Sequence, residues 1–497
     1  MKPQRKIVFL SLLLVAPVLL ASGGSDSRLI NAIKSRDATL TRSLLSQHVD
    51  VNALESDGST ALMWAVYQDQ LDTADALIHA GAKVDAANAL GSTPLSLATL
   101  NGNAVMVDRL LKAGANANRP LPSGETPLMT AARTGSVDSV KLLLAHDAKV
   151  DAHEIKRGQT ALMWAVAENH PEVVQVLLEH KADVHAKSNS GFTPLLFAAQ
   201  QGNLDLAKIL LAAGADVDEA TPDYGNALVV ASASGHEALS QFLLEKGADP
   251  NSADSCGITP LHYALMLGLA RVGGIGNQPL TTLWYRPNMH ELAKALLAHG
   301  ADPNARIKKF PSLPASRKIV AISLVGATPF LLASASYDLD IMQLLVEHGA
   351  DPKLSTKENT TPLMVAAGLP EGLDYSLAPP DEMRILEATR TLVEMGADVR
   401  AANETGETAL HGAAYVGADK VVQYLVDKGA NINAENKYGQ TPLSVAEQVT
   451  TSKLTDRFLR PYAVHKSTAE LLRKLGAVSS DSTPAKISEV KPSASTK

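Results

Sequence analysis

One pattern of apolar and polar positions runs through the chain. A Thr, Ser or Asn stands at Ser27, Thr60, Thr93, Thr126, Thr160, Thr193, Asn226, Thr259, Thr328, Thr361, Thr408 and Thr441. Two positions later comes Leu, or Phe330 once, and five positions later comes Ala in all twelve units, from Ala32 and Ala65 to Ala446. The step is 33 residues, except for one of 34 and two longer gaps. Apolar residues three apart share one face of a short helix. The Thr, Ser or Asn before them is placed to cap that helix with its side-chain oxygen. In seven units Pro follows the cap, as at Pro94, Pro127 and Pro442, where its missing N–H costs nothing. The repeated Ala predicts a close helix–helix approach that a larger side chain would overpack.

Each unit then ends this helix and starts another. Nine positions after the cap stand Gly102, Gly135, Gly202, Gly235, Gly268 and Gly417, with Asp69 and Asn169 in the same register. These residues tolerate the left-handed conformation that closes a helix. A second helix with Leu pairs, such as Leu110-Leu111 and Leu243-Leu244, ends at a further Gly, as at Gly81, Gly114 and Gly300. His48, Asp147 and Lys181 replace that terminal Gly. An Asp/Asn-rich stretch with a turn Gly, such as Gly91 or Gly158, leads into the next unit.

This unit resembles the ankyrin repeat. The resemblance covers Ser27 to about Val478 and implies an all-α repeat fold. That fold is an ankyrin solenoid of about twelve helix-turn-helix units with β-hairpin fingers, on the order of 100 Å long. Only His262 and His411 hold the His of the family's Thr-Pro-Leu-His-x-Ala signature; Met, Ser, Leu, Val or Ile stand there elsewhere. Less Thr–His hydrogen bonding and more apolar packing are expected at those positions. The first unit departs most, with Arg36 and His48 at its two turns, which suits an N-terminal cap.

The two ends differ from the array. Lys2, Arg5 and Lys6 precede an apolar run from Ile7 to Ala21, followed by small residues through Gly24. That is the layout of a secretory signal peptide over 1–23. The run is short for a membrane span, which needs about 20 residues. Residues 479–497 are Ser-, Thr-, Pro- and Lys-rich and are expected to be disordered.

The repeat is interrupted near 268–289, 305–326, 368–383 and 448–466. Three of these interruptions lie between the two helices of a unit. The one at 305–326 lies in a finger and carries Arg306, Lys308, Lys309, Arg317 and Lys318, with no acid between Asp302 and Asp338. It reads either as a basic hook for an acidic partner or anionic surface, or as a solvated hairpin balancing an acidic body. Lys318 to Val325 has the β-branched character of a strand that would extend it. Trp284, Tyr285 and Arg286 in one insertion, and Phe458 to Tyr462 in another, are residue types enriched in binding hot spots. They would equally serve to fold their loops back onto the helices. Trp64 and Trp164 share a register with Leu97 and Phe197 and are expected in the core.

Composition narrows the function. The chain has 497 residues, too many for one core. Its 45 Lys+Arg against 52 Asp+Glu give a net charge of −7, which argues against a general grip on nucleic acid. The single cysteine, Cys256, excludes an intrachain disulfide and any Cys-cluster metal site. It is expected to be exposed in its finger. No Gly-rich phosphate loop, G-x-S-x-G elbow or H-E-x-x-H helix is present. His79, His146, His180, His299 and His348 fall near second-helix ends, where His satisfies terminal carbonyls. No enzyme, cofactor or metal site is expected.

In the family, partners meet the finger tips and the concave end of the first helix. On this chain the resemblance places those positions at Tyr67, Leu100, Arg133, Gln200, Met266 and Tyr415 on the helices. On the fingers it includes Tyr224 and Tyr438. With the insertion residues Trp284, Tyr285, Arg286, Arg306, Lys308 and Lys309, these are the candidate partner-binding residues. The expected function is a non-catalytic protein-binding scaffold acting after export, periplasmic or secreted, with no membrane anchor once the signal is removed. A regulator or protector of a periplasmic enzyme is the sharper form. A secreted effector acting on host proteins, or a small-ligand or metal-binding protein using the insertion loops, are the alternatives.

Overall fold

The computed structural model describes residues 27–265, 267, 287–309, 324–369, 381–447 and 464–478. The chain forms two compact units, Met1–Pro194 and Leu195–Lys497. Each is a stack of helix pairs. In the first unit the pairs are α1 (Arg28–Lys34) with α2 (Ala38–Ser46), α3 (Ala61–Tyr67) with α4 (Leu71–His79), and α5 (Pro94–Asn101) with α6 (Ala104–Lys112). They continue with α7 (Pro127–Thr134) and α8 (Val137–Ala145), then α9 (Ala161–Ala167) and α10 (Pro171–Glu179). In the second unit the stack runs from Pro194–Gln201 to Lys466–Lys474, with Glu382–Glu394, at 13 residues, the longest helix among the described residues. Within the first unit the first helices of neighbouring pairs pack on one another, as α3 does on α5 and α7 on α9.

Most caps form as the sequence predicts; Ser27, in helical conformation, is an exception and makes no side-chain cap bond. Thr60, Thr93, Thr126, Thr160, Asn226, Thr259, Thr328 and Thr361 each accept a hydrogen bond from the backbone N–H three residues on. The Ala five places after the cap is at most 2% exposed wherever it recurs, from Ala32 to Ala446. A larger side chain there would force neighbouring helices apart, at a cost of typically 1–3 kcal/mol. The turn positions are left-handed as expected, including the non-glycine residues Arg36, His48, Asp69, Asp147, Asn169 and Lys181. Tyr337, nine positions after Thr328, joins them with φ 57°, by its register rather than its residue type.

A second ladder links neighbouring pairs through their Asp/Asn stretches. Asn52 donates to the carbonyl of Gly81 (3.1 Å) and accepts from the N–H of Lys83 (2.8 Å). Asn118 does the same with Asp147 and Lys149, and Asn304 with Gly349 and Asp351. Asp stands where only acceptance is needed, as when Asp85 accepts from the N–H of Asn116. An amide offers both roles and a carboxylate one, so the Asn/Asp choice follows the bonds to be made.

Four expectations are corrected. The fingers are turns rather than β-hairpins: among the described residues there is no strand, only isolated bridges such as Leu54 with Thr60 and His153 with Thr160. Neighbouring fingers are joined tip to tip by single bonds, as from the N–H of Ala89 to the carbonyl of Asp57 and of Asn189 to that of Arg157. One rung cannot form: the donor register of the third finger is Pro122, which has no N–H and lies against Gly91. Cys256 is buried, because the N–H groups of Lys308 and Lys309 both close onto its carbonyl; burial, and then Asp254, push its thiol pKa up. Trp64 and Trp164 are half-buried rather than core. Finally, the residue three after the cap is more than apolar packing. Besides His262 and His411, the Ser96 and Ser444 hydroxyls and the Met129 and Met364 sulfurs accept the cap residue's N–H.

Candidate partner-binding face

The last turn of each first helix is where the candidate side chains gather. Tyr67, Leu100 and Arg133 occupy one register on the stacked helices α3, α5 and α7 of the first unit, and all three are half-buried. In the second unit Gln200 is exposed and Tyr415 is half-buried, its hydroxyl donating to Glu407 at 3.3 Å. Tyr224 and Tyr438 are exposed fingertip residues, and the Lys437 ammonium lies 5.5 Å from the Tyr438 ring centre. Leu90 is exposed at its finger tip. Ile155, 71% exposed, is a large apolar tip that the sequence did not single out.

Arg306, Lys308 and Lys309 are exposed at one finger of the second unit. Arg306 donates to the Ser355 carbonyl at 3.3 Å. Ile307 is buried and pairs with the far side of the insertion, its N–H to Ala327 and its carbonyl to Gly326. That closed stem holds Lys308 and Lys309 at the foot of the insertion. Residues 310–323, with Arg317 and Lys318, lie outside the described residues, as do Met266, Gly268, Trp284, Tyr285, Arg286 and 458–462. The signal segment 1–23 and the tail 479–497 lie outside them as well.

Two junctions in the first unit pair a cation with an indole. At the first, Lys34 of α1 lies 4.2 Å from the ring centre of Trp64 on α3. Glu55, from the finger before α3, accepts from Trp64 Nε1 at 2.7 Å and also pairs with Lys34. Tyr67 stands edge-on to Trp64 with ring centres 5.8 Å apart. At the second, Arg133 of α7 lies over Trp164 of α9, 5.4 Å from its ring centre. Here Glu125 meets Arg133 Nη2 at 3.3 Å while also accepting from the Thr130 hydroxyl at 2.7 Å. Trp164 Nε1 and Arg133 Nε are both buried without a hydrogen-bond partner.

The difference traces to the one 34-residue step. Glu55 opens a finger closed by its own N–H to the Ser59 carbonyl. Glu154 opens the matching finger, closed on Gln159, which is one residue longer. The longer loop leaves inward amides, and the buried Glu154 carboxylate turns to accept from Lys156, Arg157 and Gln159. So turned, it makes no bond to Trp164 Nε1.

Histidines hold the scaffold in two distinct ways. His79, His146, His180, His299 and His348 each place Nδ1 2.7–2.9 Å from the carbonyl four residues back, as expected near a helix end. A second set was missed. His170, His236 and His465 donate from Nε2 to the first-helix carbonyls of Arg133, Gln200 and Tyr415 one repeat earlier, at 3.0–3.1 Å. Their rings lie against Gly135, Gly202 and Gly417, where an added Cβ would come within 2.2–2.6 Å of the imidazole. The signal was present as a His one register after the turn glycine of the preceding unit.

His262 and His411 are buried. The Nδ1 of each accepts from its capping Thr, and Nε2 donates to a backbone carbonyl, of Ala327 and Gln440 respectively. This network fixes the neutral Nε2–H tautomer. Burial pushes the His262 pKa down to about 4 and lowers that of His411. Among the described residues no group of His, Cys, Asp and Glu is arranged to hold a metal ion, and no helix is long and apolar enough to cross a membrane.

Family comparison agrees with this architecture. A model of ankyrin repeats in three copies matches residues 15–88, 84–154, 149–221, 195–307 and 383–454, and a single ankyrin-repeat model matches 325–357. The chain belongs to the ankyrin-repeat family. Proteins of this family are typically non-catalytic interaction modules. No curated protein sequence matches the chain. Among solved structures, the human ASB11 ankyrin repeat domain is similar at 28% identity, covering 45% of this chain and 98% of that one, with a TM-score of 0.40.

Proposed function

We propose that this chain is a non-catalytic scaffold that holds a protein partner after export and regulates or protects a periplasmic enzyme. One observation carries the reading: Tyr67, Leu100 and Arg133 form a row of half-buried aromatic, apolar and cationic side chains on adjacent first helices. Aromatic residues and Arg are enriched in protein-binding hot spots. A stacked array presents such a row with little ordering left to do on binding. Export is supported by Lys2, Arg5 and Lys6 ahead of the Ile7–Ala21 apolar run.

The test is affinity capture by the chain lacking residues 1–23 from the exported fraction of its native cell. A triple variant, Tyr67→Ala, Leu100→Ala and Arg133→Ala, runs beside it, with a second variant at Lys308 and Lys309. A stoichiometric protein lost by the triple variant supports the scaffold and locates its face. Loss only in the Lys variant moves the face to the fingers. Capture of no protein, with the chain found outside the exported fraction, overturns the reading.

A further inference from the structure

The geometry points to a carboxylate-binding site at Arg133 and Trp164, filled by one Asp or Glu side chain of the protein partner. It rests on the scaffold reading and gives it a specific chemistry. The indole N–H is a donor only, and so is every nitrogen of a guanidinium. Trp164 Nε1 and Arg133 Nε are buried and lack an acceptor. A buried donor without an acceptor loses its water and gains nothing in return.

The matched junction shows what completes the arrangement. There Glu55 takes both the Trp64 N–H and the Lys34 ammonium with a single carboxylate. At the second junction the corresponding Glu154 is committed to three backbone N–H groups of its own finger. Glu125 reaches Arg133 only at Nη2 and at 3.3 Å, held off by its shorter bond to Thr130. The Arg133 guanidinium lies 5.4 Å from the centre of the indole ring that carries the other open donor, and a carboxylate, with several lone pairs and the opposite charge, suits such a pair. A neutral amide offers a single acceptor oxygen and adds no charge to that of Glu125.

Entry is through Arg133. Its side chain is 37% exposed, so an incoming carboxylate meets the guanidinium first, and reaching the buried indole N–H requires the guanidinium to shift. The partner residue thus takes the place that Glu55 fills within the chain at the other junction.

The test uses the full chain labelled with ¹⁵N-tryptophan, its indole resonances assigned from Trp64→Phe, Trp164→Phe and Trp284→Phe variants. N-acetyl-glutamate is the probe and N-acetyl-glutamine the control, at constant ionic strength. The expected result is a saturable downfield shift of the Trp164 indole N–H, with the Trp64 resonance still. The neutral probe should bind at least tenfold more weakly, and Arg133→Met should abolish the response while the helical circular dichroism is unchanged. No saturable shift, an equal shift with the neutral probe, or an equal response at Trp64 overturns the proposal. A partner captured without any Trp164 response refutes this site and leaves the scaffold standing. A Trp164 response with no partner captured does the reverse.

Discussion

The first and second junctions of the N-terminal unit are the same structure built with different side chains. Lys34 and Arg133 share a register, as do Trp64 and Trp164, Arg36 and Gly135, Gln70 and His170, Glu55 and Glu154. Gln70 donates to the Ile33 carbonyl as His170 donates to that of Arg133. The backbone and the cation–indole stack are kept, yet one extra finger residue turns Glu154 inward and leaves the second indole without its acceptor. The longer finger thus goes with an indole N–H that is not met within the chain, which is the opening the proposed site uses.

The largest expected effect contrasts these junctions with the C-terminal unit. Three residues after the cap they carry Met63 and Met163, whereas that unit carries His262. An unfolded His titrates near 6.5, and folding pushes His262 down to about 4. Between those values the unfolded state binds more protons, so its stability contribution is full above pH 6.5 and is lost as pH falls towards 4. At pH 5 the loss is about 2 kcal/mol in the pair around His262, with a further loss in the same direction from His411. Hydrogen exchange at pH 7 and 5 should show faster opening of 260–264, relative to intrinsic rates, with 61–67 and 161–167 little changed. His262→Met should remove most of the difference. An unchanged pH dependence in that variant would show that another group is responsible.

Of similar size is Gly135→Ala, about 2–3 kcal/mol. Its φ of 74° costs an alanine roughly 1–2 kcal/mol, and the new Cβ would displace the His170 ring, whose hydrogen bond adds about 1 kcal/mol. Arg36→Ala at the first junction should cost only about 0.5 kcal/mol, because Arg36 already carries φ 61° and its bonds to Gln68 are exposed. Exchange of α7 amides should accelerate at least roughly tenfold in the Gly135 variant. Equal effects at both sites would mean that the ring contact contributes nothing.

A smaller change should make the first junction behave like the second. Glu55→Ala removes the acceptor of the Trp64 indole N–H and the carboxylate of Lys34 together, costing about 1 kcal/mol for a half-exposed pair. N-acetyl-glutamate should then shift the Trp64 indole resonance as well as that of Trp164. A silent Trp64 would show that the free cation is not enough to recruit an acid.

Much of this scaffold was legible in the sequence because it depends on short-range chemistry. A capping Thr acts three residues away, and a left-handed turn acts on its own φ, so even His48, Asp147 and Lys181 could be placed by register alone. What was missed acts between repeats. Cys256 was expected at the surface because its finger was considered alone, whereas Lys308 and Lys309 of the following finger cover its carbonyl. The His170 set bonds to carbonyls 36–50 residues away and shows only when adjacent units are aligned. The candidate register was found through the family, but the missing acceptor at Trp164 was not. It depends on which way Glu154 turns, and spacing does not state that.

The finest test deletes one residue. Removing Lys156 restores the 33-residue step between Thr126 and Thr160. The Ile155 N–H bond to Ser123 and the Arg157 carbonyl bond to Asn189 anchor the finger on both sides of the deletion, so the stack should persist. With one fewer inward amide to satisfy, Glu154 becomes free to adopt the Glu55 arrangement. Stability should change by only about 0.5 kcal/mol, since loop bonds are exchanged for a bond to the indole. The informative readout is spectroscopic. In the free variant the Trp164 indole N–H should already lie near the position of Trp64, and N-acetyl-glutamate should no longer move it. If the probe still binds, Glu154 did not turn, and finger length is not what opened the second junction.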